Sequence, residues 1–184
     1  MQGLPNHYTK AESLYLLKKN EKKLSIKVPK LIYFTKKAYL DNPDKIFNRI
    51  KAIFKKKIII RSSSLLEDNP NKSLAGKFKS FNNLLIKKEI IHKCILEVIK
   101  DFKNKNDQII IQEFISKADL SGVIFTRNIN NNSPYYVINF DKSGFTNLVT
   151  SGSSNPLMQT ITIKRNNKNN YKFFNKELKS IKKI

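Results

Sequence analysis

The chain has 184 residues and a formal charge of +22, from 36 Lys and Arg against 14 Asp and Glu. That length suits one compact domain burying roughly two-thirds of its unfolded surface, and it excludes a large multidomain enzyme within these residues. Hydrophobic residues make up 40%, including twelve Phe and seven Tyr, so the chain reads as folded rather than disordered.

Lys10 to Lys19 reads as a short helix with Leu14 and Leu17 on one face. Lys27 to Thr35 alternates around Val28, Leu31, Ile32 and Phe34 and reads as a strand entered through Pro29. Asn42-Pro43, a polar cap before proline in the first turn, marks a helix start. Ile46, Ile50, Ile53 and Phe54 then recur at helical spacing and carry that helix to about Lys56. Ile58 to Ile60 suits a buried strand that ends abruptly at Arg61-Ser62-Ser63-Ser64. Residues 62 to 83, with Pro70, Gly76 and many small polar groups, read as a long loop, of a kind that is either functional or disordered. A second helix spans about Lys87 to Lys103, burying Ile91, Cys94, Ile95, Val98, Ile99 and Phe102. From Gln108 onward the texture is β: Ile109 to Phe114, Ser121 to Arg127, Tyr135 to Phe140, Asn147 to Ser151 and Leu157 to Lys164, with a polar turn at Asn128 to Pro134. Alternating helices and strands followed by antiparallel-looking strands predict a single α+β domain with a mixed sheet, undivided by a repeat or linker.

The charge points first to a polyanion, nucleic acid or anionic lipid. Its make-up argues otherwise: 32 Lys stand against 4 Arg, with 24 Ile and 22 Asn but five Ala and five Gly. Lys, Asn and Ile have A/T-rich codons, so mutational bias accounts for the skew without a ligand. Arg, the residue suited to bidentate phosphate recognition, is scarce. The excess is +11 over residues 1–60, +4 over 61–127 and +7 over 128–184. We read it as a solvated Lys-rich surface, with a basic nucleic-acid-binding domain as a rival that rests on charge alone.

The single cysteine, Cys94, excludes an internal disulfide and fits a reducing cytoplasm. Set among isoleucines, it reads as a small buried apolar side chain rather than a nucleophile. No signal-peptide run stands in Met1 to Lys10, and no run of eighteen apolar residues suggests a membrane span. His7 and His92 are the only histidines, so there is no zinc pattern.

Arg61 follows three isoleucines, so a buried strand would hold its backbone while its guanidinium emerges at the strand end, where α/β architectures place ligand-contacting groups. Ser62, Ser63 and Ser64 offer hydroxyls and close backbone approach, and Ala75-Gly76 with Ser80 allows an unusual turn. Together they suggest a phosphate cradle. Against it stands the plainer reading of a surface arginine beside a Ser/Asn loop.

Ile59-Ile60-Arg61-Ser62-Ser63-Ser64-Leu65-Leu66-Glu67-Asp68, then Ser73-Leu74-Ala75-Gly76-Lys77-Phe78-Lys79-Ser80-Phe81-Asn82, resembles the ATP-binding N-terminal domain of the phosphoenolpyruvate synthase and pyruvate phosphate dikinase family. That family reads roughly V-R-S-S-A-x-x-E-D, then S-x-A-G-x-x-x-[ST]-x-L-N. Ile111-Gln112-Glu113-Phe114-Ile115 and Ser121-Gly122-Val123-Ile124-Phe125-Thr126-Arg127 are similar to its V-Q-x-M-V and S-G-V-x-F-T-R. Val149-Thr150-Ser151-Gly152 resembles V-V-S-G, and Tyr8 to Leu14 with Val28-Pro29 resembles the family's entry blocks. The blocks stand in the right order over residues 8 to about 152.

The resemblance implies an ATP-grasp-type nucleotide-binding domain, incomplete at its C-terminus, that binds ATP with Mg²⁺. Lys10 would contact phosphate and Arg61 the triphosphate. Gly76 and Ser80 would belong to the loop that closes over the phosphates. Gln112 would line the nucleotide site near the adenine, with Glu113 flanking that hinge. The chain departs from the family in two places. Thr9 stands where a glycine precedes the lysine, putting a side chain in the way of the phosphate. Residues 165–184, a basic tail, show nothing like the family's later acidic segment, so neither a metal ligand nor a catalytic residue is named. The family passes phosphate to a histidine on a swivelling domain and then to pyruvate in a barrel. Those domains are expected on a separate chain, since His7 and His92 lack the glycine-rich context of the carrier. The leading expectation is therefore an ATP-binding module of an ATP-dependent phosphotransferase in the cytoplasm. The alternative of another class is a non-catalytic remnant that keeps the fold and a partner surface.

Overall fold

Residues 8–64, 79–116, 118–141 and 158–165 are described by the computed structural model of the chain. They fall into two units, residues 1–114 and 115–184. In the first, α1 (Lys10–Lys19) and α2 (Glu21–Leu24) precede β1 (Leu31–Thr35), α3 (Lys36–Asp41), α4 (Pro43–Ile53) and β2 (Ile58–Ser63); β3 (Ser80–Leu84), α5 (Lys88–Ile99) and β4 (Gln108–Glu113) follow. The four strands form one sheet in the order β1-β4-β2-β3, and every pairing is antiparallel.

Local chemistry starts the helices where the chain must turn. Thr35 ends β1 and caps α3, its hydroxyl accepting from Ala38 N at 3.1 Å. Asn42 caps α4 by accepting from Lys45 N at 2.9 Å, with Pro43 in the first turn. The apolar stripes of α3, α4 and α5 then close over one face of the sheet. There Ile60, Ile111 and Ile32 stand opposite one another across three strands, beside Ile58, Ile109 and Phe34. Tyr39, Ile46, Ile50, Phe54, Ile91, Cys94, Ile95 and Val98 pack against them. Ile50, Ile58, Ile60, Ile95, Ile109 and Ile111 are 0% exposed, and burying each such side chain contributes about 1.5–3 kcal/mol.

The sheet differs from the sequence expectation in four respects. The first strand begins at Leu31, not Lys27. β2 does not stop at Ile60: Arg61, Ser62 and Ser63 continue its ladder against Ile110, Ile109 and Gln108 of β4, so Arg61 lies within the strand rather than at its end. The stretch read as one long loop from 62 to 83 contains the end of β2 and most of β3, whose segment 65–78 lies outside the described residues. A mixed sheet was expected, and among the described residues all pairing is antiparallel. β3 also carries a bulge: Ile60 faces Phe81 and Ile58 faces Leu84, so one residue of β2 opposes two of β3. Asn83 absorbs the extra residue at φ 59°, a left-handed conformation that asparagine tolerates.

The second unit contains β5 (Ser121–Phe125), β6 (Tyr135–Asp141) and β7 (Gln159–Lys164), antiparallel in that order. The polar connection between β5 and β6 turns as its composition predicts: Asn132 N donates to Asn128 O at 2.9 Å and Asn128 N to Ser133 O at 3.1 Å. The strand expected at Asn147 to Ser151 lies outside the described residues. Among the described residues no helix is long and apolar enough to cross a membrane.

Candidate functional site

Because strand side chains alternate, the sheet face turned away from the core presents three cross-strand rows. Leu31, Gln112 and Ile59 form one; Tyr33, Ile110, Arg61 and Ser80 form the next; Thr35, Gln108 and Ser63 form the third. Adjacent rows stand two residues, about 7 Å, apart along the strands. Arg61 and Ser80 are exposed on this face, and Gln112 is buried at one end of it.

The start of α1 is fastened to the other end. Thr9 caps the helix in a reciprocal box: its hydroxyl accepts from Glu12 N at 3.2 Å, and Glu12 Oε2 accepts from Thr9 N at 2.9 Å. The Thr9 hydroxyl donates to Gln108 Oε1 at 2.7 Å, and Gln108 Nε2 donates to Glu12 Oε1 at 3.2 Å. Ala11 N donates to Ser63 Oγ at 2.8 Å. One turn on, the Tyr15 ring meets Tyr33 edge to face, centroids 5.8 Å apart. The Thr9 backbone N–H, and then the Gln108 amide, hold the Glu12 carboxyl below the usual carboxylate range against the opposing effect of burial. The helix starts with Lys10, next to Ala11, which is bonded to Ser63, and Ser63 lies two strand positions, roughly 7 Å, from Arg61 along β2.

Four of the six residues singled out from the sequence, Lys10, Arg61, Ser80 and Gln112, thus belong to one sheet face or to the helix fastened on it. Glu113 does not join them. It stands opposite Ile58, so its side chain leaves on the helix-covered face, while its backbone N donates to Lys30 O at 2.9 Å. Gly76 lies outside the described residues. The Thr9 side chain, expected to stand in the way of a phosphate, is 6% exposed and turned down onto Gln108. The three serines after Arg61 are buried, and Ser63 uses its hydroxyl oxygen to hold α1. Sequence reasoning missed Thr9, Glu12, Ser63 and Gln108 as a network. The Thr-x-x-Glu spacing of a capping box was the signal for its first half.

A cleft of about 570 Å³ lies among α3, α4 and α5 on the core side. In it Tyr39 Oη and His92 Nδ1 are 2.6 Å apart, and burial, with the Asp44 carboxylate adding to it, pushes the Tyr39 phenol up to about 12. Arg61, Ser80 and Gln112 stand on the opposite face of the sheet. Cys94 is buried in the core, and burial pushes its thiol up, as suits a packing residue and not a nucleophile. Among the described residues, no group of three or more His, Cys, Asp or Glu is arranged to hold a metal ion.

Helices packed on antiparallel strands make this an α+β fold, and Arg61, Ser80 and Gln112 share one face of its first sheet. The family model described as pyruvate phosphate dikinase, AMP/ATP-binding domain, matches residues 36–183, and the chain belongs to that family. The match takes in Arg61, Gly76, Ser80, Gln112 and Glu113 and starts after Lys10, whose place rests on the attachment of α1. The comparison with curated proteins gives no match.

Proposed function

We propose that the chain is the ATP-binding module of a cytoplasmic phosphotransferase resembling phosphoenolpyruvate synthase and pyruvate phosphate dikinase, with an ATP-grasp mode of binding. The observation that carries the proposal is the placement of Arg61, Ser80 and Gln112 on one sheet face, with Lys10 at the helix start fastened to that face. ATP would lie along β2 and β4 with its phosphates at Lys10 and Arg61 and its base toward Gln112. Two cations would offset the charge that develops on the transferring phosphoryl group, and the Arg61 fork would orient its oxygens. Ser80, and Gly76 of the segment before it, would close on the phosphates. Glu113 would act only through the backbone of its strand.

The γ-phosphoryl group would pass to a histidine on a carrier domain of another chain, and from there to pyruvate or a related acceptor. Mg²⁺ would supply charge neutralisation between phosphate oxygens. The described residues do not offer a set of carboxylates for it, so we assign it no protein ligands here.

Calorimetric titration of the full chain with ATP tests the proposal. Wild type is expected to bind, and Arg61→Ala to lose about ten- to a hundredfold in affinity, the scale of hydrogen bonds to a charged group. No heat of binding at millimolar ATP would overturn it.

A further inference from the structure

We infer that Gln108 is a positioning residue for the nucleotide site: together with Ser63 it holds the start of α1 so that Lys10 reaches the same polyphosphate as Arg61. This rests on the ATP-binding proposal and deepens it.

The argument starts from the amide group itself. Gln108 is 9% exposed, and both ends of its side chain are used, Oε1 by the Thr9 hydroxyl and Nε2 by Glu12. A carboxamide presents an acceptor and a donor side by side at any pH, whereas a carboxyl does so only when protonated. A leucine there would leave the buried Thr9 hydroxyl and the Glu12 carboxylate without those partners. A glutamate would set a second carboxylate where the Glu12 oxygen now sits 3.2 Å from Nε2.

Gln108 also ties together distant parts of the chain. It lies 99 residues from Thr9 and 96 from Glu12, and it occupies the same cross-strand row as Ser63, which receives Ala11 N. The backbone N–H groups of Thr9, Ala11 and Glu12 all have acceptors within the protein. What this end of the helix gives a ligand is therefore less a nest of bare amides than a fixed origin for the Lys10 side chain. Arg61 needs no such clamp, since it is carried by β2 itself, paired on both sides. Lys10 sits on a helix whose attachment to the sheet runs through these hydrogen bonds and the Tyr15–Tyr33 contact. Loss of the clamp should therefore weaken the contribution of Lys10 and spare that of Arg61.

A double-mutant cycle on the full chain, read by ATP titration with thermal melting alongside, tests this. Lys10→Ala and Gln108→Leu are each expected to lower ATP affinity about tenfold, and Lys10→Ala to add little in the Gln108→Leu background. Arg61→Ala should cost as much in that background as in wild type. Gln108→Glu gives a second readout. Its carboxylate and that of Glu12 must share a proton, so its affinity relative to wild type should recover as pH falls from about 8 to about 5. That recovery should vanish when Lys10 is alanine. Additive losses from Lys10→Ala and Gln108→Leu, or a folded Gln108→Leu chain that binds ATP as tightly as wild type, would overturn the inference while leaving ATP binding intact. A pH recovery that persists without Lys10 would overturn it as well, whether or not the leucine variant folds. A wild-type chain that binds no ATP would instead sink the proposal beneath it.

Discussion

Ser80 of β3 stands directly opposite Arg61 of β2, and both side chains are exposed on the sheet face that lies away from the core. The pairing matters because these residues lie nineteen positions apart in the chain, and the antiparallel register sets them opposite each other. A fork of donors is the part of Arg61 that a lysine lacks. Arg61→Lys should keep the charge, lower ATP affinity about tenfold and leave the melting temperature unchanged, since the side chain is exposed. Calorimetric titration beside a thermal scan decides it, and equal affinity would reduce Arg61 to a point charge.

Ser63 is 0% exposed and its hydroxyl oxygen is the acceptor for Ala11 N at 2.8 Å. Ser63→Ala removes that acceptor and leaves a buried backbone N–H without it, at a cost of about 1–3 kcal/mol. Urea unfolding should show a lower midpoint with an unchanged slope. Hydrogen exchange should speed up first in the opening turn of α1. Unaltered exchange there would mean that the helix is held by its other contacts.

Local chemistry explains which parts of this fold were legible. Asn42-Pro43 and the Ile46, Ile50 stripe announce α4 within a dozen residues, and Lys10 to Lys19 announces α1. α3 escaped because six residues show too little of a helical period; its start depends on the Thr35 cap and its place on the burial of Tyr39. β3 escaped for the opposite reason, since its alternation is interrupted by the Asn83 bulge and most of its side chains face solvent. The end of β2 was misplaced because Arg61, Ser62 and Ser63 look like loop residues until β4, some fifty positions away, supplies their ladder. At the site, the cations were readable through motif blocks. The clamp was not, because Thr9 and Gln108 lie 99 residues apart and only the sheet brings them together.

Tyr39 carries a pH signature in the helix-covered half of the unit. Burial, then the nearby Asp44 carboxylate, raises its phenol from 10.0 to about 12. A folded value above the unfolded one means that its contribution is fully present below about pH 10 and is lost as pH rises toward 12. Chain stability should therefore fall across that window, and Tyr39→Phe should flatten the fall. Ultraviolet titration of tyrosinate, read as the difference between wild type and Tyr39→Phe, reports the same group directly; a difference centred near 10 would contradict it.

Glu97 behaves in the opposite sense. The ammonium of Lys100 and then that of Lys79 hold its carboxyl down to about 2, with Lys79 Nζ 2.6 Å from Oε2. A lowered folded value means that its contribution is present above about pH 4.5 and is lost as pH falls toward 2. The three groups are at the surface, so salt should screen much of the effect. Carbon NMR titration of the Glu97 carboxyl at low and high ionic strength is expected to show a midpoint that climbs with salt. A midpoint near 4.5 in low salt would show that the lysines do not hold it.

In the second unit Gly122 is set against Phe140 in the β5–β6 ladder, and a Cβ built on it would stand 2.7 Å from the Asn139 carbonyl oxygen and 3.1 Å from Phe140 Cβ. The nearer contact is with backbone, which cannot swing aside as a side chain can, so the strands must separate to admit a methyl group. Gly122→Ala should therefore destabilise this sheet by about 1–3 kcal/mol, the range for overpacking a filled site. Hydrogen exchange should show the β5 and β6 amides losing protection, while those of β2 and β4 keep theirs. Unchanged protection in β5 and β6 would show that the strands absorb the methyl group and that the glycine of this motif is there for another reason.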